Sequence, residues 1–223
     1  MSPVILDFFK TYILTARVPP NNTHQPTPPN LRTQVPALEP GGRLFRLIQR
    51  VCTLHHKSRQ ESGLNTAAIS QAVHIWHELD TWNADPDPDP NPDGDGRSPA
   101  AKEHALSIYQ LYIHAIFLWT YLIIHPNDVH EWKAQDALRG ILQGLSGVGE
   151  ARELQVYVVV PLFLGGLAAV RPGDRDVVAR EFERVREATR DAGVGEVYSV
   201  VRRCWGLYDA GVRSSWDWMK GDG

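Results

Sequence analysis

In every long segment of this chain the apolar residues return after three or four positions, the interval that lines side chains along one face of an α-helix. No two alternating runs close around a short turn as a hairpin would. Strands have no place in such a pattern, so the sequence predicts an all-α fold, a bundle of seven or eight helices.

The segments differ in how much of their circumference is apolar. Residues 43–59 carry Leu44, Ile48 and Val51, with Phe45 and Cys52 beside them. Residues 64–82 place Leu64, Ala68, Ala72, Ile75, Leu79 and Trp82 on one stripe and Gln71, His74, Glu78 and Thr81 opposite, the pattern of a half-buried helix. Residues 98–125 open with Ser98 as N-cap and Pro99 as first helical residue, and Pro126 stops them. Tyr109, Tyr112, Ile116, Trp119 and Ile123 form one stripe there; His114, Leu118, Tyr121 and His125 form another. A helix apolar nearly all round belongs at the centre.

Residues 128–145 read as an amphipathic helix ended by Gly144 and Gly147. In 150–170, Val156, Val158, Val159 and Val160 favour a buried strand, but the length and the helical surroundings favour a helix kinked at Pro161. Asp174 is expected to cap 175–191, with Val178, Phe182 and Val185 inward and Gly193 as terminator. Residues 194–210 supply Val197, Val201, Cys204, Trp205 and Tyr208 to the last helix, and residues 1–16 read as a short amphipathic one. Between them, residues 17–42 are crowded with prolines and polar residues and read as an extended linker. Residues 83–98 alternate proline with aspartate, which removes helix donors and repels itself into a disordered loop. The expected organisation is residues 1–42 as helix and linker, and residues 43–218 as one helical domain interrupted by that loop.

Charge narrows the function. The net charge is -3, and Asp85, Asp87, Asp89, Asp93 and Asp95 sit together in the loop; with those five set aside, 21 acidic residues face 23 basic ones. Arg175, Arg180, Arg184, Arg186 and Arg190 interleave with Asp176, Glu181, Glu183 and Glu187, which makes a salt-laced surface rather than a basic patch. Direct nucleic-acid binding is therefore not expected. The longest apolar run, 156–170, is broken by Pro161 and by Gly165-Gly166 and is short for a bilayer, and residues 1–16 lack the basic start of a signal peptide. No membrane association is expected. Cys52 and Cys204 lie among apolar neighbours and read as reduced core thiols, so the expected location is intracellular, cytoplasm or nucleus.

No metal and no cofactor is expected. His74-x-x-His77-Glu78 puts three potential ligands on one helix, but without the order of a zinc-protease motif and on a solvated face. His55 and His56 are adjacent and diverge on a helix. No nucleophile elbow, phosphate loop or dinucleotide fingerprint is present, so no catalytic residue is assigned and hydrolytic or redox chemistry has no signature. The candidate ligand-binding residues are His114, Tyr121 and His125 on the central helix, with Tyr112 and Trp119 beside them. Two readings stay open: hydrogen-bonded core residues, or the lining of a cavity built from Tyr, His and Trp.

Several segments together resemble the fungal-specific transcription factor domain, the helical regulatory region that follows a binuclear zinc cluster in fungal regulators. They are residues 44–54, 105–115 (ALSIYQLYIHA), 160–168 (VPLFLGGLA), 174–185 (DRDVVAREFERV), Cys204-Trp205 and Trp216-Asp217-Trp218. The six-cysteine cluster of that family, its DNA reader, is not in this sequence. The resemblance implies the effector-sensing or partner-binding half of a regulator, whose partner is a hydrophobic small metabolite or a regulatory protein. The alternative is a helical cavity repurposed as a cofactor-free cyclase or isomerase, of pericyclase type, in secondary metabolism, because shape and one or two donors suffice for such chemistry.

Overall fold

The computed structural model describes residues 35–38, 42–60, 65–84, 99–149 and 152–211. The segment 1–16, most of the linker, most of the acidic loop and Trp216-Asp217-Trp218 lie outside the described residues. Among the described residues there are seven α-helices, two 3-10 turns and no strand, the all-α bundle that the periodicity predicts. The helices are α1 (Arg43–Gln60), α2 (Thr66–Ala84), α3 (Pro99–Ile124), α4 (Trp132–Val148), α5 (Gln155–Ala168), α6 (Pro172–Thr189) and α7 (Ala192–Asp209).

Two helices form the interior. α3 packs against α1, α2, α4 and α5, and α5 packs against α3, α4, α6 and α7. By length and composition Glu103–Ile124 could cross a membrane, but 67% of its apolar window is buried inside the bundle. Its all-round apolarity is what a central position requires. The valines of α5 do not make a strand: twelve of its residues, from Gln155 through Ala168, are buried on every side, and the helix continues through Pro161. Before α1, Pro36–Leu38 forms a 3-10 turn that buries Val35 and Ala37 against that helix.

Several helix ends differ from expectation. α2 runs on through Asn83 and Ala84, two residues of the supposed loop. α4 starts at Trp132 rather than Asp128, because residues 125–131 close two turns through Asp128 N–H to His125 O (3.1 Å) and Glu131 N–H to Asp128 O (3.0 Å). The amide of Gln135 holds those turns in place by donating to Val129 O at 2.7 Å and Ala168 O at 3.1 Å. α4 also runs through Gly144 and Gly147 to Gly149, whose φ of 58° ends it. Finally, α6 begins at Pro172 with Asp174 inside its first turn, and ends at Arg190 in the left-handed region (φ 54°). Gly193 belongs to α7, where its N–H is captured by the capping carboxylate of Asp191 at 2.8 Å.

The glycines of α4 explain why they are not stops. Gly140, Gly144 and Gly147 share one face, and a Cβ on each would lie 2.5 Å from the His114 ring, 2.9 Å from Leu111 and 2.9 Å from Ser107. His114, Leu111 and Ser107 are themselves spaced by three and four on α3, so the two helices approach backbone to side chain along a matched stripe. Gly165 and Gly166 do the same for α5, one against Ile141 of α4 and the other against Val201 of α7 and Val178 of α6.

Candidate functional site

α3 lies between α2 and α4, and the aromatic pairs Trp82–Tyr109 and Trp76–Phe117 show α2 running antiparallel to it. The glycine stripe likewise makes α4 antiparallel to α3. α2 and α4 therefore form the two walls of a groove whose floor is one face of α3. The space between them is an open cleft of about 370 Å³, lined by Trp76, Leu79 and Asp80 of α2, by Ile113, His114, Phe117 and Tyr121 of α3, and by Trp132, Lys133, Asp136 and Ala137 of α4.

The aromatic rings are in sequence with one another. Trp76 and Phe117 have centroids 6.0 Å apart, Phe117 and Tyr121 stack at 6.1 Å, and Tyr121 meets His125 at 4.8 Å. Trp132 stands at the rim with 69% of its surface exposed. The Trp76 indole N–H is buried and has no hydrogen-bond partner among the described residues. Burial pushes the His114 imidazole below its ordinary value, against an opposing pull from Asp136. The Tyr121 phenol is held above its ordinary value by burial and by the charges of Asp128 and Glu131.

The five candidate residues do not converge on one place. His114 and Tyr121 line the cleft. His125 sits just past the helix end, its ring tilted against that of Tyr121, with Nδ1 3.5 Å from Asp128. Tyr112 is buried in the core, where desolvation, assisted by Tyr157, drives its phenol well above its usual range. Trp119 is buried too, and its indole N–H donates to His55 Nδ1 at 2.7 Å. Trp76, Phe117, Trp132, Asp80 and Asp136 were not singled out from the sequence. The spacing Ile113, Phe117, Tyr121 on α3 is the signal that was present; a helix apolar all round does not say which of its stripes lacks a covering neighbour.

The weak metal motif on α2 is engaged elsewhere. Glu78 pairs with Arg50 of α1, and its carbonyl accepts from Arg43 at 3.3 Å, while His74 and His77 face solvent. Among the described residues no three His, Cys, Asp or Glu side chains gather as a metal site. Cys52 and Cys204 form no disulfide among the described residues, and burial pushes Cys52 up to about 11.

On α6 the arginines interleave with acids, as in Arg184–Glu181 and Arg186–Glu183. Arg175 reaches further. It donates to Ala169 O at 2.9 Å, clasps both carboxylate oxygens of Asp209 at 2.7 and 2.9 Å, and lies over the Trp205 and Tyr208 rings. Trp205 in turn donates to Gly166 O at 2.8 Å. This clamp joins α5, α6 and α7, and it uses residues from the family-like segments 174–185 and Cys204-Trp205.

The family model described as fungal specific transcription factor domain matches residues 42–220, most of the chain. No curated protein and no solved structure matches it at a significant level.

Proposed function

We propose that this chain, which belongs to the fungal specific transcription factor domain family, is a regulatory domain that reads a small, largely apolar effector through the cleft between α2, α3 and α4. Membership in the family supports a regulatory role in general; the cleft supplies the reading of how it is exercised. The observation that carries it is the aromatic row Trp76, Phe117 and Tyr121 lining an open cleft beside a half-buried His114, with Trp132 exposed at the rim. Apolar walls with a few polar groups are the usual make-up of a small-molecule site, and about 370 Å³ falls in the usual range.

An effector seated there would touch three helices at once. It would thereby couple the α1–α2 pair to the α4–α5 layer, which meet mainly through α3. The openness of the cleft favours reversible binding over cofactor-free cyclisation, which needs a substrate folded and shielded from water. Balanced charge favours a domain that acts through ligands and protein contacts rather than by gripping DNA itself.

The test is a thermal-shift screen of apolar metabolites on wild type, Tyr121→Phe and Trp132→Ala. A saturable rise in Tm that Trp132→Ala abolishes, with the free proteins melting alike, is the expected result. No shift with any compound, or shifts indifferent to both substitutions, would overturn the assignment of the cleft.

A further inference from the structure

The charges around the cleft are not balanced as they are over the chain as a whole. Asp80 and Asp136 line it, and Asp128 and Glu131 lie near enough to act on the Tyr121 phenol. Asp136 is tied only to Arg139, in an exposed pair at 2.6 Å that solvent weakens. Asp80 makes no hydrogen bond or ion pair with a described residue. On the basic side Lys133 is the one lining cation among the described residues, and its ammonium already lies 5.9 Å from the centre of the Trp132 ring. His114 adds no charge near neutral pH, since burial disfavours its protonated form.

Rings and carboxylates in this arrangement act together. The faces of Trp, Tyr and Phe carry negative potential and attract a cation within about 6 Å of the centroid, more strongly where water is partly excluded. A carboxylate at the edge of the same space holds the charge end while the rings hold the body. A neutral ligand would leave Asp80 unused, and an anion would meet the two lining acids, Asp80 and Asp136, with the charges of Asp128 and Glu131 beyond Tyr121.

We propose that the cleft selects a small organic cation, a protonated amine on a compact or flat apolar body, with the ammonium toward Asp80 and Asp136 and the body against Trp76, Phe117 and Trp132. The proposal rests on the cleft being the effector site. Asp80 sets the charge preference and Trp132 closes over the body from the rim.

Three probes of one shape separate the charge from the shape: 2-phenylethylamine, 2-phenylethanol and phenylacetate, which at pH 7 carry +1, 0 and -1. Each is titrated into the full chain at low salt while the indole N–H resonances of Trp76 and Trp132 are followed by NMR. The amine is expected to bind at least tenfold more tightly than the alcohol, and phenylacetate most weakly. Asp80→Asn, a change at an exposed position, should bring the amine close to the alcohol and leave the alcohol unchanged; Trp132→Ala should weaken both. Equal affinity for amine and alcohol, both weakened by Trp132→Ala, overturns the cation preference and leaves the cleft as a site for neutral effectors. Failure of all three probes to move either indole signal at millimolar concentration overturns both readings.

Discussion

The indole N–H of Trp119, in the C-terminal part of α3, donates to Nδ1 of His55 on α1 across 2.7 Å, with both side chains buried and their rings edge to face. An indole N–H only donates, so Nδ1 must carry a lone pair there, and the bond fixes the imidazole tautomer inside the core.

Breaking that pair from one side should cost more than removing both partners. His55→Leu leaves the Trp119 N–H buried without an acceptor and is expected to destabilise by about 1–3 kcal/mol. Trp119→Phe in the same chain removes the orphaned donor, so the double variant should lose less than the sum of the two single changes. Urea unfolding of the four proteins measures the coupling; strict additivity would show that the bond contributes nothing.

Glycines of the bundle should divide sharply in their response to alanine. Gly140→Ala drives a Cβ to 2.5 Å from the His114 ring, and should cost about 1–3 kcal/mol while displacing that ring from the cleft. Gly206→Ala, at a helical position of α7 with open space around it, should instead stabilise by about 0.5–1 kcal/mol. Thermal melts of both variants decide this, and a stabilising Gly140→Ala would contradict the close α3–α4 approach.

Acid should weaken the domain partly through His114. Its folded-state value lies below the ordinary 6.5, chiefly because burial disfavours the charged ring, so the unfolded chain binds its proton first as pH falls. The contribution is intact above about pH 6.5 and is lost as pH drops below it toward the folded-state value. His114→Gln should flatten the decline of stability between pH 7 and 5 relative to wild type, in denaturant titrations at each pH. An unchanged slope would mean that His114 is solvated.

Cys52 should be a slow thiol. With burial holding it up to about 11, almost none is thiolate at pH 8, so a disulfide reagent should label the native protein far more slowly than the urea-unfolded chain. Rapid native labelling of this residue would show that α1 opens readily.

Charge predicts one negative result for the chain alone. With 23 basic residues against 26 acidic ones, and arginines paired to neighbouring acids, it should not retain a DNA duplex in a sequence-dependent way at physiological salt. Electrophoretic mobility across a random duplex pool checks this, and selective nanomolar retention would refute it.

What the sequence determined by itself was the class of fold, the existence of each described helix and the inward stripes of most of them, because these follow from local periodicity. Ala68, Ala72, Ile75, Leu79 and Trp82 are buried as their spacing requires, and so are Val178, Phe182 and Val185. The family too was legible, since order and spacing of segments survive in one dimension. Helix ends were less so: Gly144 and Gly147 have the composition of stops, and only the ridge of Ser107, Leu111 and His114 opposite them makes them contact residues. The cleft lay beyond local reading altogether. Tyr112, His114, Trp119 and Tyr121 are chemically alike as text, on a helix apolar all round. Their fates were settled by what covers each face: α1 brings His55 to Trp119, whereas α2 and α4 stand apart above Phe117 and Tyr121. A gap between helices is a property of their packing in three dimensions, and no periodicity within one helix encodes it.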